Sequence, residues 1–67
     1  MSILAAVQFV RDEIARARCT PLSDLIVESE QLGVPTEVSG ADWRETRAIL
    51  GARIAAAKLR QQRREAQ

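Results

Sequence analysis

The chain has no histidine, one cysteine, one tryptophan and one phenylalanine among its 67 residues. Each scarcity excludes something. A single Cys19 cannot close a disulfide within one chain, and without histidine it cannot supply the usual nitrogen and sulfur ligands of a structural zinc. The absence of histidine also removes the side chain best tuned for proton transfer near neutral pH, and leaves Cys19 with no base to activate it. Ser23 and Asp24 are adjacent but do not face each other on a helix, and Glu28 and Glu30 point to different sides. The three glycines are isolated, so there is no phosphate-cradling loop. These absences predict a protein that is not an enzyme, with no cofactor and no metal.

Long apolar runs are missing as well. Nothing approaches the roughly 18 uninterrupted apolar residues of a membrane span. The apolar opening Ser2–Val10 has no basic stretch before it and is cut off by Arg11-Asp12-Glu13, unlike a targeting segment. The lone thiol fits a reducing compartment, so the cytoplasm is the expected location.

A chain this short buries only about 60% of the surface its unfolded form exposes. Chains of this size lean on disulfides, metals or association. With the first two excluded, association is the support left. The net charge of +1 conceals a strong polarity. Residues 20–42 carry Asp24, Glu28, Glu30, Glu37 and Asp42 without a single base. Residues 43–67 carry Arg44, Arg47, Arg53, Lys58, Arg60, Arg63 and Arg64 against Glu45 and Glu65.

The apolar spacing is helical throughout. Ile3, Val7, Val10, Ile14 and Ala17 recur at intervals of three and four, which makes a seam along a helix over about residues 2–18, with Ser2 as its N-cap. Thr20-Pro21 ends it, because proline lacks an N–H and disfavours helical geometry in the residue before it. The same pair is expected to start a second helix over 21–32, with Thr20 as N-cap and Pro21 as first helical residue. Leu22, Leu25, Ile26, Ser29 and Leu32 share one face of that helix. Small Ser29 there permits close approach of a neighbour, and Gly33 followed by Pro35 stops the helix. A third helix is expected over about 41–65, opened by Ser39 with Asp42 or Asp42 with Glu45 as a capping pair. Gly51 lies inside it at a cost of about 1 kcal/mol relative to alanine, and could mark a close helix contact.

That third helix has two apolar sides. Trp43, Leu50, Ile54 and Ala57 form a bulky stripe, and Ala48, Ala52, Ala55, Ala56 and Leu59, with Ile49 at the edge, form a smaller one. A surface helix of a monomer needs only one. The bulky stripe is assigned to the core with Ile3, Val7, Val10, Ile14, Leu22, Leu25, Ile26 and Leu32, and Trp43 is expected to plug it. The small stripe, Ala48, Ile49, Ala52, Ala55, Ala56 and Leu59, is the candidate partner-binding face.

Two routes to nucleic acid can be weighed. Leu22, Leu25, Ser29, Leu32, Gly33 and Val34 superficially resemble the first half of a helix-turn-helix. The positions where its second helix needs apolar residues hold Ser39 and Asp42, and the preceding helix is acidic, which opposes phosphate approach. Separately, Lys58, Arg60, Arg63 and Arg64 cluster at the basic end 58–67 as a candidate site for a charged partner or nucleic acid. No aromatic residue interleaves with them to stack on bases.

The expectation is therefore an all-α fold: one domain, a small helical bundle of two short helices and a long protruding C-terminal helix, completed by oligomerisation or a partner. Its expected function is a non-catalytic interaction module (an adaptor, inhibitor or assembly factor) that binds itself or another protein. A nucleic-acid-binding regulator is the alternative. Small size and an Ala/Arg-rich composition are those of a small bacterial or phage regulator.

Overall fold

The computed structural model describes residues 2–65. They form three helices: α1 Ile3–Arg18, α2 Leu22–Gln31 and α3 Trp43–Glu65. No described residue is in a strand. Ser2 caps α1 as expected, its hydroxyl accepting the Ala5 N–H at 3.1 Å. The start of α2 differs from the sequence reading. Pro21, not Thr20, is the cap residue, in extended conformation with ψ 141°. Its carbonyl accepts the Asp24 and Leu25 N–H groups. The Thr20 hydroxyl turns back instead and donates to the Arg16 carbonyl at 2.7 Å, closing the end of α1.

Gly33 stops α2 with φ 72°, a backbone region that side chains with a Cβ disfavour. The Gly33 N–H reaches the Glu30 carbonyl and the Val34 N–H reaches the Ser29 carbonyl. This paired closure satisfies two orphan carbonyls and turns Val34 inward, where it is buried. Asp42 caps α3, one carboxylate oxygen accepting the Arg44 and Glu45 N–H groups at 2.9 and 2.8 Å.

The long α3 is the organising element, and both other helices pack on it, α1 more extensively than α2. The molecule is elongated, 36 × 22 × 19 Å, and α3 covers roughly 35 Å of it at 1.5 Å per residue. α1 runs antiparallel beside α3. Arg47 donates to the Arg18 carbonyl at one end, Gly51 meets Ala17, and Lys58 reaches Glu13 further along. Gly51 does mark a close contact: a Cβ there would lie 2.7 Å from the Ala17 Cβ and 3.2 Å from the Ile14 Cα.

Ala17, Leu25, Leu50 and Ile54 are fully buried at the junction of the three helices, with Leu22, Ile26 and Leu32 packed around them. Ser29 is fully buried too. Arg53 ties down the loop after α2 by donating to the Pro35 and Glu37 carbonyls.

Three residues assigned to the core from sequence are not in it. Trp43 is 56% exposed, because α3 begins before it reaches the end of α1 and the ring is flanked by arginine side chains rather than by the core. Ile3 and Val7 are exposed because the apolar seam of α1 outruns its neighbours. Level with them α3 has reached its exposed polar stretch from Arg60 to Glu65. Val10 and Ile14 are half-buried between these extremes.

Candidate functional site

The side of α3 that faces the core carries Leu50, Ile54 and Ala57, all buried. Stepping 100° per residue, Ala48, Ala52 and Leu59 fall within about 20° of the side opposite Leu50. These three are half-buried, Ala56 is exposed, and Ile49 is half-buried at the margin. Ala55 is fully buried against the fold itself, so no partner reaches it here. The six residues of the candidate face are thus divided, five at the surface and one inside.

The candidate face named from the sequence contains no residue of α1. Ile3, Val7, Ile14 and Arg18 share about 60° of arc on that helix, with Leu4 just beyond. Arg16, whose guanidinium pairs with Glu28 of α2, lies diametrically opposite Val7. The apolar arc of α1 therefore points away from α2, as does the Ala48–Ala52–Leu59 arc of α3. Both arcs lie on the side of the molecule that α2 leaves bare, staggered along the helices: Ala48 and Ala52 lie level with Arg18 and Ile14, and Ile3 and Val7 level with the polar end of α3. Ile3 and Leu4 are 84% and 82% exposed on it. A signal for this was present in the spacing: the seam of α1 spans two heptads, whereas α2 is only 10 residues long and starts where α1 stops.

A cleft of about 530 Å³ lies at the end of α1, lined by Arg18, Trp43, Arg44, Glu45, Arg47 and Ala48. The guanidiniums of Arg44 and Arg47 sit 5.0 and 4.9 Å from the centre of the Trp43 ring, in cation–π range. Among the described residues, none of Arg18, Arg44 and Arg47 forms a salt bridge. The Nε of Arg47 is buried without an acceptor. Three arginines thus share the cleft with one carboxylate, Glu45, and none is paired with a described carboxylate.

The compensated charges lie elsewhere and hold the fold together. Glu13 accepts from Arg16 at 2.7 Å and from Lys58 at 2.8 Å, and Arg16 continues to Glu28. Burial pushes the Glu13 carboxyl up, but the hydrogen bonds and charges of Lys58 and Arg16 outweigh it and hold the group below its ordinary 4.5. Arg16 is held above its ordinary value by its hydrogen bonds to Glu13 and Glu28.

The basic end does not form one patch. Lys58 is half-buried and engaged with Glu13, while Arg60, Arg63 and Arg64 are exposed. Helical stepping puts Arg60, Arg63 and Arg64 on the far side of α3 from Lys58. No group of three or more metal-ligating side chains occurs among the described residues. Among the described residues, no helix is long and apolar enough to cross a membrane.

The class the fold defines is an all-α three-helix protein built around one long helix. Comparison with protein-family models, curated proteins and solved structures found no match for the chain.

Proposed function

We propose that this chain is a non-catalytic protein–protein interaction module, and that its working surface is the two-helix apolar face turned away from α2. The observation that supports this reading is the uncovered seam. Three large apolar residues, Ile3, Leu4 and Val7, stand exposed toward one end of α1, and half-buried Ile14 continues their side of the helix to the level of the half-buried Ala48 and Ala52 on α3. Singly exposed apolar side chains need no explanation, but a contiguous apolar surface marks an interaction site. Small residues let another backbone come close, as a helix laid along two antiparallel helices requires. Such a helix would complete a four-helix arrangement with the same kind of packing that α3 already makes with α1. The exposed thiol of Cys19 and the absence of any second cysteine fit a cytoplasmic setting.

Site-specific photo-crosslinking in living cells tests this directly. A crosslinker placed at Leu4 or Ala56 is expected to yield discrete adducts with protein, whereas one at Val27, exposed on α2, yields none. Adducts of equal intensity from all three positions, or from Val27 alone, would refute the assignment of the face.

A further inference from the structure

We propose that the occupant of the α1–α3 face is an amphipathic helix of another protein with acidic flanks, and that one of its carboxylates enters the cleft formed by Arg18, Trp43, Arg44 and Arg47. The inference rests on the reading of that face as a docking surface and adds the chemistry of what docks.

Charge complementarity carries it. By helical stepping Arg11 and Arg18 lie within the α1 arc, between Val7 and Leu4, and the face runs at one end into the cleft that holds Arg18, Arg44 and Arg47. Glu45 is the single carboxylate lining the cleft, and no described carboxylate lies within salt-bridge distance of any of its three arginines. The Arg44 and Glu45 N–H groups at the start of α3 are already taken by the Asp42 carboxylate, and the guanidiniums are the charged donors that line the cleft. The Arg47 Nε, buried without an acceptor, adds to that demand. Guanidinium groups take carboxylates in paired hydrogen bonds, and stacking on Trp43 holds two of them in place beforehand. An exposed tryptophan ringed by arginines has the composition of a binding hot spot.

A second copy of this chain fits less well. Face-to-face pairing would bring Arg11 and Arg18 of one copy toward the arginines of the other, with like charge within the face. The acidic side of a second copy is α2, whose one exposed large apolar residue is Val27, too little to fill a two-helix face.

The test uses the full chain and two synthetic helices of about 16 residues, matching the length of α1, with the same leucine stripe. One carries glutamates on its flanks and the other lysines. Binding is followed by calorimetry and by the fluorescence of Trp43, the only tryptophan. The glutamate peptide is expected to bind at least about tenfold more tightly than its lysine twin, with a preference that shrinks as salt rises. Arg18→Gln with Arg44→Gln, both at exposed residues, is expected to abolish that preference while the helical circular dichroism is unchanged. Val7→Glu is expected to weaken both peptides.

Equal affinity of the twins, or a preference that survives in the double arginine variant, would overturn the proposal. So would a Trp43 response to inorganic phosphate with none to either peptide, which would make the cleft a small-anion site. Failure of both peptides likewise overturns the partner chemistry, while crosslinking from Leu4 and Ala56 reports separately on whether the face docks protein at all.

Discussion

Gly51→Ala isolates the contact on which the two-helix layer is built. In an exposed helix this change stabilises by about 1 kcal/mol, because glycine forfeits backbone entropy that alanine does not. Here the added methyl would sit 2.7 Å from the Ala17 Cβ, 3.2 Å from the Ile14 Cα and 3.3 Å from the Glu13 carbonyl oxygen. Two of those three neighbours are backbone, so a side-chain rotation cannot relieve them and the helices must move apart. Overpacking of this kind costs about 1–3 kcal/mol. Set against the propensity gain, the net expectation is a loss of about 1 kcal/mol, or roughly 4–8 °C in melting temperature for a domain this small. Thermal and urea unfolding followed by circular dichroism measure it. The double variant with Ala17→Gly removes the closest contact, so Gly51→Ala should be less harmful in that background than in the native one. A rise in melting temperature on Gly51→Ala alone would show that α1 and α3 do not approach as closely as described.

Three further outcomes follow from the packing. Ser29 is fully buried with its hydroxyl lacking a partner, so Ser29→Ala should leave stability unchanged or raise it by up to about 1 kcal/mol, as urea midpoints will show. Leu50 is fully buried at the three-helix junction, and Leu50→Ala should cost about 2–5 kcal/mol, a large share of the stability of so small a domain, seen as a collapse of the urea midpoint. The Glu13 carboxyl is held below its ordinary 4.5 in the folded chain, so its stabilisation is present above that pH and lost as pH falls through the lowered value. The stability gap between the native chain and Glu13→Gln should accordingly shrink between about pH 5 and pH 2, and a gap that stays constant would contradict the bridge to Lys58 and Arg16.

How much of this was legible in the sequence depended on whether local chemistry or relative placement decided the outcome. The ends of the helices were legible because caps act within a few residues: Ser2, Gly33 and Asp42 do what their types imply. Pro21 shifted the start of α2 by one residue because the Thr20 hydroxyl closes the helix behind it rather than opening the one ahead. The bulky stripe of α3 was legible at Leu50 and Ile54 and misread at Trp43. Periodicity tells which side of a helix is apolar, but not how far along that side a neighbour extends. The same limit explains Ile3 and Val7, which continue a seam past the point where anything covers it. Ala55 was grouped with the outer alanines by its size, yet its position beside Gly51 places it at the edge of the α1 contact, where it is buried. The cleft was not legible, since it depends on α1 ending level with Arg47, a distance in space rather than in sequence.

The measurement closest to the central claim is the molar mass of the free chain and of Leu4→Glu, by light scattering at low and high salt. If the α1–α3 face is reserved for an acidic partner, both proteins will be folded monomers of the chain mass, 7.4 kDa, under both conditions. A native chain that is a stable dimer at high salt, reverting to monomer in Leu4→Glu, would contradict this and show that a second copy fills the face.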